Sequence, residues 1–134
     1  MSSVLARLRK PSPLKVEDHA LMIQAEATRL VWNTNNVPKS WRDVFAKPMC
    51  LRTINLIDHI NRANAIKCTT EEKVQKRKEI IEDAQNDLKS MYNLINYMAN
   101  TLPIDWNKFD TLLNLMLEEK DFLKNWHDST KIVK

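Results

Sequence analysis

Arg52, Asn55, His59 and Arg62 recur at spacings of three, four and three. On a helix that spacing aligns side chains along one face. Two guanidiniums, an amide and an imidazole in a row suit phosphate oxygens, which arginine can grip with two parallel hydrogen bonds. The interleaved Leu51, Ile54, Ile57, Ile60 and Ala63 read as the apolar face of the same helix, with the basic ribbon opposite. A second basic group, Lys73, Lys76, Arg77 and Lys78, alternates with Glu72 and Glu82 at four-residue spacing. That pattern equally describes a solvated face laced by ion pairs. A third lies where Lys39, Arg42 and Lys47 neighbour Trp41, Val44, Phe45 and Met49. Aromatics beside cations can stack on bases, but capping a bundle end or docking a neighbouring subunit is the preferred reading of these apolar residues.

Other chemistry finds little support. Di-metal bundles need Glu-x-x-His pairs facing a core, and the positions three before His19, His59 and His127 are Val16, Leu56 and Lys124. No carboxylate is read as interrupting the apolar stripes, and no local arrangement suggests a nucleophile, so neither an enzyme nor a cofactor is expected. The chain contains no glycine. Without it no dinucleotide fingerprint, phosphate-binding P-loop or nucleophile elbow can be written.

The elements that must carry these residues are helices. Val16, Ala20, Ile23, Ala27 and Leu30 share one face, and the polar stretch Asn33–Asn36 before Pro38 closes that helix. The second helix follows Ser40, with Pro48 either preceded by a short turn or sitting in the first turn, where its missing N–H does no harm. Thr69-Thr70-Glu71-Glu72 reads as a capping box. It opens a third helix with a stripe of Val74, Ile81, Ala84, Leu88, Met91, Ile95, Met98 and Leu102. At ~1.5 Å per residue this helix is roughly 45 Å long. Pro103 stops it and Asp105 is a suitable N-cap for the fourth. There Phe109, Leu112, Leu113, Met116, Leu123 and Trp126 form the buried face, which Trp106 also joins. The spacing predicts an all-α, up-down-up-down four-helix bundle over residues 16–129, preceded by a basic arm (1–15) and followed by a frayed tail (130–134).

The chain has 134 residues, 43% hydrophobic and 28% charged, with a net charge of +4. One domain fits that length. No apolar run reaches the ~20 residues of a membrane span, nor does Met1–Pro13 contain one suited to a signal peptide. Cys50 and Cys68 read as reduced thiols, consistent with a cytoplasmic protein. The positive charge gathers in two places: Arg7, Arg9, Lys10 and Lys15 on the arm, and Lys39, Arg42, Lys47, Arg52, Arg62 and Lys67 around the second helix. Leu21, Met22, Ile80, Tyr92 and Leu94 fall outside the stripes, more apolar surface than one bundle uses, so self-association or a protein partner is expected.

The turn Pro38-Lys39-Ser40-Trp41-Arg42 resembles the Pro-Lys-Ser/x-x-Arg turn of a bacterial and phage four-helix-bundle family. That family includes the accessory variability determinants of diversity-generating retroelements and proteins encoded in ribosomal-RNA intervening sequences. Ala63-Asn64-Ala65, the long third helix, and Leu117–Trp126 followed by Ser129 extend the similarity over 16–129. The resemblance implies a barrel-shaped homopentamer that binds nucleic acid and a dedicated reverse transcriptase and supports mutagenic retrohoming, with no catalysis of its own. Lys39 and Arg42 match the family turn directly. Together with the ribbon, these readings nominate Arg7, Arg9, Lys10, Lys39, Arg42, Lys47, Arg52, Arg62, Lys67, Lys73, Lys76 and Arg77 for RNA or DNA phosphates. Trp41, Phe45, Met49 and Tyr92 are nominated for an oligomer or partner interface. The alternative is a bundle that oligomerises or binds protein without nucleic acid.

Overall fold

A computed structural model describes residues 11–133. Arg7, Arg9 and Lys10 lie outside the described residues. The fold is all-helical, with four long helices and no strand among the described residues. Helix α1 runs Pro11–Val31, α2 Lys47–Asn64, α3 Glu71–Thr101 and α4 Asp110–Ser129. Two short turns, Lys39–Trp41 (3₁₀) and Arg42–Ala46 (π), lead into α2, and a 3₁₀ turn, Trp106–Phe109, leads into α4. α1 therefore starts five residues earlier than its apolar stripe, with prolines in the first turn, where N–H groups have no intrahelical partner. Pro48 is the second residue of α2, with both expected devices present: preceding turns and a first-turn proline.

With no glycine and no residue at positive φ among those described, the left-handed helix ending is not used. Side chains close the helices instead. Asn36, buried, donates its amide to the Leu30 carbonyl at 3.0 Å and finishes α1. Arg77 reaches back from α3 to finish α2, its Nε donating to the Ala63 carbonyl at 3.0 Å and its Nη2 to the Ile66 carbonyl. Thr130 Oγ1 donates to the Trp126 carbonyl at 2.7 Å at the end of α4. At the start of α3 the cap is Thr70, whose hydroxyl accepts from the Lys73 amide. Lys occupies the third helical position, so this is a simple N-cap and the reciprocal Glu bond of a capping box is missing. Asp105 caps the 3₁₀ turn ahead of α4 rather than α4 itself, accepting from the Asn107 amide at 3.1 Å.

α2 packs most extensively on α3, α1 lies against both α2 and α4, and the α3–α4 seam is the most open. The expected α1 and α3 stripes are buried at every position. On α4, Leu112, Met116, Leu123 and Trp126 are buried, joined by Leu115 and by Phe109 of the preceding 3₁₀ turn, while Leu113 of α4 and Trp106 of that turn are half-buried against the core. Helix α2 differs from expectation. Its core side is Met49, Thr53, Leu56, Ile60 and Ala63, while Leu51 and Ile54 are 52% and 55% exposed. The reason is geometric. Residues three apart step back about 60° around the helix, so the run 51-54-57-60-63 winds about 240° around it and cannot form a face. The segment after α4 stays on the bundle: Thr130 is buried, and the Val133 amide donates to the Cys68 carbonyl at 2.8 Å.

Candidate nucleic-acid interface

The α2 rotation moves the basic ribbon with it. Instead of standing opposite the core, Arg52, Asn55 and His59 border it on the α3 side, and two of them converge on Asp87. His59 Nδ1 lies 2.5 Å from Asp87 Oδ2, and Arg52 Nη1 lies 3.6 Å from Asp87 Oδ1. Asp87 is 5% exposed, so its charge sits where solvent cannot stabilise it and two cationic or polar partners must. The ribbon is thus first an α2–α3 clasp. Arg62, more exposed, pairs loosely with Asp58 on its own helix at 3.7 Å.

The other nominated residues separate into two places. At the entrance to α2, Lys39 is exposed, Lys47 pairs with Asp43 at 2.7 Å, and the Arg42 guanidinium lies 5.0 Å from the Trp32 ring centroid. The Lys47 ammonium beside Asp43 holds that carboxyl below its usual range, first by hydrogen bonding and then by charge. Trp32 in turn donates its indole N–H to Cys50 Sγ at 3.1 Å. At the exit of α2, Lys67, Lys73 and Lys76 are exposed close to Arg62, because Arg77 ties the first turns of α3 to the last carbonyls of α2. The chain after α4 also reaches this corner, the Val133 amide donating to the Cys68 carbonyl. α2 spans about 27 Å between the two basic places, at 1.5 Å for each of its 18 residues. Acids are present at the exit too, Glu71 and Glu72 in the first turn of α3.

Arg77 occupies a capping position and is half-buried, so its donors are committed to backbone carbonyls rather than free for phosphate. Of the residues nominated for an interface, Phe45 and Met49 are buried in the chain's own core and offer no surface. Phe45 stacks with half-buried Trp41 at 5.6 Å and meets Tyr97 edge-on at 4.8 Å, sealing that end of the bundle. Tyr92 packs partly against the core, its hydroxyl buried and without a hydrogen-bond partner. Burial raises its pKa above the ordinary phenol value, and the Asp121 charge adds to the rise. The exposed apolar residues include Leu21 and Met22, as expected, together with Val44, Leu51, Ile54, Leu117 and Tyr97. Ile80 is buried, and Leu94 half-buried.

Two carboxylates do interrupt the apolar stripes. One is Asp87. The other is Glu119, fully buried on α4 with neither oxygen hydrogen-bonded. Burial alone pushes its carboxyl up to about 9, so Glu119 is a neutral acid at neutral pH. The remaining histidines also bridge helices: His19 lies 3.6 Å from Glu118 and edge-on to Phe122, and His127 Nε2 lies 2.7 Å from Glu82. Among the described residues no group of three His, Cys, Asp or Glu side chains is placed to hold a metal ion, and no helix is long and apolar enough to cross a membrane.

Protein-family models, curated proteins and solved structures were each compared with the chain, and none matches.

Proposed function

We propose that this protein is a non-enzymatic, cytoplasmic four-helix accessory that holds nucleic acid through its phosphates beside a reverse transcriptase of the diversity-generating class, in support of mutagenic retrohoming. The polymerase binds a separate face and performs the covalent chemistry. The observation that carries the nucleic-acid part is the α2–α3 corner, where Arg62, Lys67, Lys73 and Lys76 stand exposed around a turn. Contacts of this kind neutralise phosphates and position a strand with little sequence readout. Lys39 and Arg42, in the turn that carries the family resemblance, are the second contact.

The helices follow an up-down-up-down path in this reading. Cross-helix pairs support it, since rising numbers on one helix meet falling numbers on the next. Gln24 and Thr28 meet Thr53 and Cys50, Phe45 and Ala63 meet Tyr97 and Arg77, and Lys15 and His19 meet Phe122 and Glu118. Assembly into a homopentamer would repeat the basic corner five times around a ring. A second reading, an oligomerising or protein-binding module without nucleic acid, is favoured by Leu21, Met22, Leu51 and Ile54 at the surface.

The test is absolute mass by light scattering with and without a structured RNA, at low and high salt, for the natural chain and for Lys67→Glu/Lys73→Glu/Lys76→Glu. The proposal expects a five-fold mass that takes up RNA at low salt. The triple variant should keep its mass while log affinity against log salt flattens by about 2. Unchanged RNA binding by the variant at every salt overturns the corner as the contact. A protein indifferent to RNA leaves the interaction module.

A further inference from the structure

Of the four tryptophans, Trp126 is buried and Trp41 and Trp106 pack against the core, whereas Trp32, directly after α1, is 37% exposed. Trp32 is nevertheless held in place. Its indole N–H donates to Cys50 Sγ on α2 at 3.1 Å, which ties the ring across the α1–α2 seam. The Arg42 guanidinium lies 5.0 Å from the ring centroid, within cation–π range. The result is a positioned aromatic surface beside a cation, at the entrance to α2 where Lys39 is also exposed.

The charge around this ring is not compensated. Between residues 26 and 47 the acids are Glu26 and Asp43, and each is taken by a neighbour, Glu26 by Arg29 at 2.6 Å and Asp43 by Lys47 at 2.7 Å. Among the described residues no carboxylate pairs with Lys39 or Arg42. An exposed ring with two unneutralised cations matches a polyanion that also carries flat apolar faces, as nucleic acid does. In a duplex those faces are closed in the base stack. In a single strand they are open, and every base has one to stack on an aromatic side chain.

We infer that this face is a single-strand site, in which an unpaired base stacks on Trp32, exposed Lys39 meets a flanking phosphate, and the Arg42 charge beside the ring adds to the attraction. The inference rests on the nucleic-acid reading above and narrows it, from any phosphate backbone to one with open bases. The sequence places its stacking candidates at Trp41 and Phe45, but Phe45 is in the core and Trp41 half-buried against it. The stacking surface falls instead to Trp32, which only the fold brings beside Arg42.

Fluorescence anisotropy on the full chain tests this with three labelled probes of about 12 nucleotides: oligo(dA), an abasic strand of the same length, and a duplex. The abasic strand has the phosphates without the bases, so it reads the phosphate contacts alone. The natural chain should bind oligo(dA) at least about tenfold more tightly than the abasic strand. Trp32→Leu should remove that difference while leaving the abasic strand and the duplex within about twofold of their natural affinity, and Trp32→Phe, still a stacking ring, should keep most of it. Lys39→Gln should weaken the oligo(dA) and abasic strands alike at low salt. Thermal melts check that each variant folds, and the comparison of oligo(dA) with the abasic strand needs only the natural chain. Oligo(dA) bound no more tightly than the abasic strand, equal weakening of both by Trp32→Leu, or a Trp32→Phe variant as impaired as Trp32→Leu would each overturn the inference. Salt-dependent binding of the abasic strand and duplex leaves the phosphate reading standing in those cases, whereas binding of no probe overturns both.

Discussion

His59 Nδ1 and Asp87 Oδ2 lie 2.5 Å apart across the α2–α3 seam, with Arg52 on the other oxygen of the same buried carboxylate. A buried charge is tolerable only while its partners remain, which makes this small cluster a condition for how α2 is rotated against α3.

Asp87→Ala should therefore lower stability by about 2–3 kcal/mol, because it strands the partly buried His59 and loses a charge-assisted bond. Arg52→Ala should cost less than about 1 kcal/mol, since Arg52 is well exposed and its contact is long. Urea denaturation of both variants separates the two. Equal losses would mean that Arg52, not His59, anchors the carboxylate.

Glu119 predicts a pH dependence. Its folded-state carboxyl titrates near 9 against an ordinary 4.5, so the folded chain keeps a proton that the unfolded chain releases. Stability from this group is full below about 4.5 and falls as pH rises toward about 9. Glu119→Gln should flatten that slope between pH 5 and 8. Glu119→Leu should raise stability at pH 7, by up to about 3 kcal/mol if the full shift applies. Thermal melts across pH check both.

Arg77 and its neighbours should come apart by function. Arg77→Ala removes the donors that close α2 and should cost about 1–2 kcal/mol, with little direct effect on RNA. Lys73→Ala and Lys76→Ala, exposed on the same helix, should leave stability within about 0.5 kcal/mol and weaken RNA binding at low salt. Paired melts and salt-dependent filter retention read the contrast.

The exposed pair Leu51 and Ile54 belongs to no core. Leu51→Lys/Ile54→Lys should leave the melting temperature of the isolated bundle within a few degrees and reduce the solution mass to a single chain, if this face joins subunits. Light scattering decides, and an unchanged oligomer places the interface elsewhere.

Much of this was legible in residue spacing. A stripe with true three-and-four alternation lies on one face whatever surrounds it, so the core sides of α1 and α3 could be read directly. The α2 face could not, because its apolar residues repeat at three and drift around the helix, leaving the rotation to whichever neighbours gain most. Two gaps of seven in the stripes did carry a signal. Between Val74 and Ile81 the core register falls on Arg77, and between Met116 and Leu123 it falls on Glu119. A charged residue in core register must cap, pair or stay neutral.

By itself, then, the sequence determined four helices, most of their inward sides and, through the absence of glycine, that their ends would need side-chain donors, because these follow from local periodicity and backbone sterics. Only the tertiary structure decided which donors serve, that the α2 cations split between a buried aspartate and an exposed corner, and that Glu119 is sealed from water. Those outcomes depend on which helix lies against which, and on burial, which changes the free energy of a charge far more than any neighbour in sequence can.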